Sequence, residues 1–281
     1  FKGASNRFLK YHAKENCKPS TIASYVSYLN NHLLPELGKL KLKNVTPGLI
    51  EVYKIQKIKE GLSERTIKHI LTLLNGIMEL AVSDGSIISN PVNLQEIPKI
   101  PRSKVNHLNE KEINQVLRIA RVSYPGFYPL LFTAIYTGLS RGELLGLTWD
   151  KIDFENKLIR IDQSLYQRKI IPIDIPARIR NVDMFENVSQ VLSKWKEDCP
   201  KGEVGFVFPN IKGEAECADN MIKRRFNLVI SKAGIKKIKF NDLRDTYAVR
   251  LLQNNYPVDY VHKQMGFSSV VVTMDRYREF L

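Results

Sequence analysis

Four short stretches gather the residues that could do chemistry. Residues 137–149 read Thr-Gly-Leu-Ser-Arg-Gly-Glu-Leu-Leu-Gly-Leu-Thr-Trp, and residues 240–248 read Phe-Asn-Asp-Leu-Arg-Asp-Thr-Tyr-Ala. Residues 265–269 read Met-Gly-Phe-Ser-Ser, and Tyr277 follows Phe267 by ten residues. Arginine suits a phosphate because its planar fork makes two parallel bonds to it. A tyrosine hydroxyl can serve as a nucleophile. A phosphodiester carries one negative charge and gains more in its pentacoordinate state. A site that breaks it must therefore gather cations and donors around the non-bridging oxygens. A lysine or histidine must also protonate the leaving oxygen.

Helices must position most of these groups. Pro19-Ser20-Thr21 opens one, with a hydroxyl available as a cap and an apolar stripe Ile22, Tyr25, Val26, Leu29 and Leu33; Pro35 and Gly38 end it. Thr46-Pro47 starts a second, closed by Gly61. Ser63 opens a third with the stripe Ile67, Ile70, Leu71, Leu74, Ile77, Met78 and Ala81, stopped at Asp84-Gly85. Residues 92–107 mix proline with Lys99, Arg102 and Lys104 and read as an extended basic linker. Asn109 caps the next helix, and others are expected at 124–137 and 141–147. Alternating runs at 157–162, 169–175 and 180–184 predict one small antiparallel sheet. Helices follow at 186–197, 220–233, 242–254, 258–265 and 270–280.

The bulk composition narrows the partners. The 281 residues suggest two domains, and 43% hydrophobic with 26% charged is ordinary for a globular chain. No apolar run approaches the ~20 residues of a membrane span, and the expected location is the cytoplasm, at the nucleoid. No secretory signal is visible, and the start at Phe1 leaves room for an upstream segment. Cys17, Cys199 and Cys217 fit neither a zinc pattern nor a disulfide framework, so no metal and no cofactor are expected. The net charge of +14 is shared: residues 1–100 carry +6 and the remainder +8. Two basic domains suggest a polyanion held between them, most simply double-stranded DNA.

The layout resembles the tyrosine recombinase (phage integrase) family over nearly the whole chain. Residues 81–91 resemble the segment closing that family's first domain. Residues 137–149 resemble its first arginine box, T-G-L-R-x-G-E-L, and residues 240–248 its second, F-H-D-L-R-H-T-F-A. Residues 265–269 resemble L-G-H-S-S, and Tyr277 lies at the nucleophile's spacing. The resemblance implies a mainly α fold with a small antiparallel sheet, arranged as a two-domain C-shaped clamp. Its parts would be a helical core-binding domain at 1–95, a basic linker at 96–107 and a catalytic-type domain at 108–281. It also implies a 3′-phosphotyrosyl intermediate in active members.

Measured against that family pattern, the cationic inventory is thin. Arg244 and Tyr277 are retained, while Ser140, Asn241 and Phe267 stand where the family has arginine, histidine and histidine. The sheet lysine's position falls near Asp174 when counted back from Arg180, with Lys169 as the other candidate. Losing one oxyanion donor costs roughly 3–4 kcal/mol. The chain is therefore expected not to be an enzyme. It is read as a sequence-selective DNA-binding protein that has lost strand cleavage, with Glu143 structural. The chain also resembles recombinase-derived master repressors of phages, which implies a phage or prophage transcriptional repressor. The alternatives are a divergent active integrase using Tyr277, or an accessory recombination protein.

A clamp needs only charge and shape. Its expected DNA contacts are Lys18, Ser20, Thr21, Ser24, Arg65, Thr66, Lys68 and His69 in the first domain. Arg141, Lys223, Arg224, Arg225, Lys239, Arg244 and Tyr277 are the contacts expected in the second. A regulatory protein or self-association on DNA is a further expected partner. Active relatives exchange a C-terminal segment, and only four residues follow Tyr277 here.

Overall fold

A computed structural model of the chain describes residues 1–92 and 104–281. The expected linker at 96–107 lies outside the described residues as far as 103. The chain divides into two compact units, Phe1–Ser103 and Lys104–Leu281. No helix among the described residues is long and apolar enough to cross a membrane.

The first unit is all helical: α1 Lys2–Arg7, α2 Lys14–Asn16, α3 Pro19–Tyr28, α4 Leu34–Leu37, α5 Pro47–Lys59 and α6 Glu64–Ser83. Pro35 does not end a helix, as the sequence suggested. A π turn at Leu29–Leu33 joins α3 to α4, and the helical path runs through the proline to Leu37. The wider turn lies where Pro35 lacks an N–H to donate. Nor does a hydroxyl cap α3; its N-cap is Lys18, with Pro19 at the first helical position. The other two caps stand as read: Thr46 accepts from Leu49 N and Ser63 from Thr66 N. The stripe of α6 is wholly buried, with Leu73 added, and forms the centre of this unit's core.

The second unit carries α7 Glu110–Ser123, α8 Tyr128–Thr137, α9 Arg141–Leu145, α10 Glu186–Asp198, α11 Ala218–Met221, α12 Asn227–Lys232, α13 Asp242–Gln253, α14 Val258–Met265 and α15 Val270–Tyr277. Asn109 and Glu112 form a reciprocal capping box on α7. The strands are β1 Ile152–Asp153, β2 Leu158–Ile161, β3 Gln163–Tyr166, β4 Lys169–Pro172 and β5 Arg180–Asp183. They make two sheets rather than the expected one: β1-β2-β5 and a β3-β4 hairpin, all antiparallel. Gln167 and Arg168 both take positive φ, 48° and 63°, and turn the chain back within two residues, so β3 pairs directly with β4. One core packs α7, α8 and α12 around Leu131, Ile135 and Val229. A smaller cluster holds Tyr247, Val261, Met265 and Tyr277.

Candidate active site

Two helix ends build the floor of the site. Helix α8 stops at Gly138 (φ +62°) and α14 at Gly266 (φ +61°), both left-handed conformations that glycine adopts without strain. Arg244 on α13 reaches both ends. Its Nη1 donates to Gly138 O at 2.5 Å, and its Nη2 donates to the carbonyl of Met265. A cation placed on the negative ends of two helix dipoles is favourably held. Its guanidinium also lies over the Phe267 ring, 5.4 Å from the centroid.

Glu143 is the hub of the charges around it. It is nearly fully buried at the N3 position of α9, where its Oε2 accepts from Ser140 N at 2.7 Å. Arg180 grips it with two bonds of 3.0 and 3.2 Å. Arg244 Nη1 approaches its Oε2 and Arg178 Nη2 its Oε1, each at 3.8 Å. Burial alone would raise the Glu143 pKa. The hydrogen bonds and charge of Arg180, then the charge of Arg244, bring it down to about 2. Burial lowers Arg244 to about 10; Glu143 opposes that shift, and the charge of Arg180 adds to it.

Tyr277 ends α15 fully buried, its ring 6.3 Å from that of Phe267. Phe267 thus neighbours both the retained arginine and the retained tyrosine. The phenol donates to Asp245 Oδ1 at 2.7 Å, and Arg276 closes on the same carboxylate with bonds of 2.9 and 2.7 Å. Burial, then the Asp245 charge, push the phenol well above its usual pKa.

The site corrects the sparse cationic inventory read from the sequence. Three guanidinium groups, from Arg178, Arg180 and Arg244, converge on one carboxylate. Neither Arg178 nor Arg180 was read as a site residue, Arg180 serving only as the marker for the sheet lysine, because they lie before and at the start of β5, far from either box in sequence. The aspartate at 245, in the second box, was the readable clue to the tyrosine's partner. Ser140 is a helix cap, its hydroxyl accepting from Glu143 N at 3.4 Å. Asn241 is exposed at the start of α13, and Asp174 lies exposed beyond the end of β4. Lys169 opens β4, exposed, directly after the hairpin turn.

The expected DNA contacts divide. Ser20, Ser24, Arg65 and His69 are exposed, and Thr21, Thr66 and Lys68 half-buried. The Tyr28 ring stacks on His69, which joins α3 to α6 on that side. Lys18, Lys223, Arg224 and Lys239 are exposed. Arg225 instead turns onto the buried Glu216 at 3.1 Å, and Arg141 faces Asp219 at 4.0 Å. Both are partly neutralised by acids the sequence reading did not pair with them.

A helical unit followed by a helical unit with small sheets, an arginine cluster and a neighbouring tyrosine defines the tyrosine-recombinase class of fold. Residues 106–280 match the profile described as the phage integrase family, and residues 1–58 that of its N-terminal SAM-like domain. The chain belongs to the phage integrase family. It is 28% identical to a protein named "Tyrosine recombinase XerC-like" from Caldanaerobacter subterraneus subsp. tengcongensis, over 92% of this chain and 74% of that one. It is 22% identical to the ICEBs1 integrase of Bacillus subtilis, over the same shares of each chain. Its fold matches the Tn1549 transposon integrase, solved with a circular intermediate DNA, at TM-score 0.82 and 20% identity, covering 98% of this chain and 94% of that one. It also matches a lambda integrase dimer on a core site at TM-score 0.75 and 20% identity, over 96% of each chain. These relatives overturn the expectation that the chain is not an enzyme: they carry the names of tyrosine recombinases and integrases, which are enzymes.

Proposed function

We propose that this protein binds duplex DNA at chosen sequences and acts there as a tyrosine recombinase, with Tyr277 as nucleophile. The observation that carries the reading is the placement of both Arg244 and Tyr277 next to Phe267, beside two further guanidinium groups. The DNA partner follows from relatives whose structures hold DNA and from a net charge of +14. The exposed cations and hydroxyls of α3, α6 and the 222–226 turn are the backbone contacts in this reading.

In the cutting step the Tyr277 oxygen bonds to phosphorus as the bond to the 5′ oxygen breaks. The phenolic proton passes to the Asp245 carboxylate, and a water relays that same proton to the departing 5′ oxygen, in place of the lysine or histidine of the family pattern. Tyr277 is covered in the free chain, so α15 must shift for attack. A duplex nicked near its site traps the covalent product. A protein–DNA adduct that disappears in Tyr277→Phe supports the reading; a specific gel shift with no adduct removes the cutting step.

A second reading is regulatory: occupancy of promoters represses transcription, in the manner of a prophage repressor. Ser140 favours it, because a helix cap stands where the family box has a phosphate-gripping arginine. Mapping bound sites across a genome separates the two, since promoters favour regulation and a single attachment junction favours integration.

A further inference from the structure

We propose that Arg178 is the side chain that grips the DNA phosphate beside Arg244, in the position Ser140 leaves without a cation. The inference rests on the reading above that the site receives a DNA phosphodiester.

The three guanidinium groups at Glu143 differ in what they have left to give. Arg180 is 6% exposed in its side chain, and its donors are taken by both Glu143 oxygens, Gln264 O and Arg178 O. Arg244 is 17% exposed and holds two helix-end carbonyls. Arg178 is 41% exposed, and its ion-pair partner among the described residues, Glu143, stands at 3.8 Å, beyond hydrogen-bond distance. Among the described residues its guanidinium donates no hydrogen bond.

Its backbone is nonetheless fixed. Arg178 closes a tight turn at Pro176–Arg178, its N–H bonding Ile175 O at 2.9 Å and its carbonyl receiving Arg180 Nη1 at 3.1 Å. The stem is therefore anchored while the fork is available. Three guanidinium groups against one carboxylate leave an excess of positive charge, which an incoming anion relieves. Ser140 cannot supply that cation, and its hydroxyl is committed to the cap of α9. A planar fork beside a second arginine matches two non-bridging phosphate oxygens.

The test measures duplex binding by wild type, Arg178→Ala and Arg178→Lys over a range of salt. The probe is the duplex that the wild-type protein selects from a random pool. A series of the same duplex carries one neutral methylphosphonate at each position in turn. Arg178→Ala should bind about tenfold more weakly, with a salt slope shallower by about one phosphate contact. One methylphosphonate position should weaken wild type and leave Arg178→Ala indifferent, and Arg178→Lys should recover the slope. An unchanged slope and an unchanged methylphosphonate profile in Arg178→Ala overturn the assignment while the DNA reading stands. Absence of salt-dependent duplex binding by wild type removes the DNA reading and this assignment together.

Discussion

The Tyr277 hydroxyl donates to Asp245 Oδ1 at 2.7 Å, inside a cluster that leaves the tyrosine no exposed surface. The same carboxylate is held by both arms of the Arg276 fork. The phenol is thereby kept protonated in the free chain, and an acceptor for its proton is already in contact with it. Tyr277→Phe should cost about 1 kcal/mol, the net worth of one buried hydrogen bond. Asp245→Ala should cost more, about 2–3 kcal/mol, because a buried donor then loses its partner; the Arg276 share is small, since that side chain is half exposed. A double-mutant cycle by urea unfolding should give about 1 kcal/mol of coupling. Additive losses would mean that the two groups do not interact in solution.

Acid should weaken the fold through Glu143. Its folded pKa of about 2 lies below the ordinary 4.5. The ionised form is therefore favoured by folding, and that stability is complete above the unfolded value. It is lost as pH falls from about 4.5 towards about 2, and amounts to roughly 3 kcal/mol. Glu143→Gln should be destabilised by about 3 kcal/mol at neutral pH, since it leaves the guanidinium cluster without its carboxylate. Its unfolding midpoint should then depend less on pH across that window. Parallel acid profiles for wild type and Glu143→Gln would show that the carboxylate titrates normally.

Gly138 joins the fold to the site. Its φ is +62°, and a Cβ there would lie 2.4 Å from the Tyr247 ring and 3.2 Å from Met265 Sδ. Its carbonyl is one of the two that hold Arg244. Gly138→Ala should cost about 3 kcal/mol, from the left-handed backbone together with the overlap on a buried ring. It should also weaken duplex binding, because the helix end carrying Arg244's acceptor must move. A variant with wild-type melting temperature would show that the helix end relaxes freely.

Much of the scaffold was legible because its signals are local. Thr46, Ser63 and Asn109 each cap the helix they were expected to cap, and the α6 stripe is buried residue for residue. Misreadings arose where tertiary context overrode local preference. Pro35 was accommodated inside α4 just after a π turn, and the β3–β4 hairpin stands apart from the three-stranded sheet. The site itself was half legible. Arg244 and Tyr277 lie in recognisable boxes, but Arg178 and Arg180 reach Glu143 only because chain 35 and 37 positions away folds back. No periodicity encodes that convergence. Arg225 and Arg141 show the reverse error: cations that look available in a basic run meet Glu216 and Asp219 in space.

Ser140 offers the sharpest exchange between stability and chemistry. Its hydroxyl and Glu143 cap α9 reciprocally, with Glu143 Oε2 on Ser140 N at 2.7 Å. Ser140→Arg gives up the side-chain half of that box and should cost about 1 kcal/mol. The new guanidinium stands at the box position where family members hold the phosphate, within reach of the Arg244 cluster. In the Arg178→Ala background duplex binding should therefore regain a salt slope steeper by about one phosphate, and trapping on a nicked duplex should rise by up to about 100-fold, the worth of one oxyanion donor. Glu143 remains paired with Arg180, so the cluster persists and the two effects can be read separately. A lower melting temperature with no change in slope or trapping would mean that position 140 serves the cap alone, and that the phosphate is gripped from elsewhere.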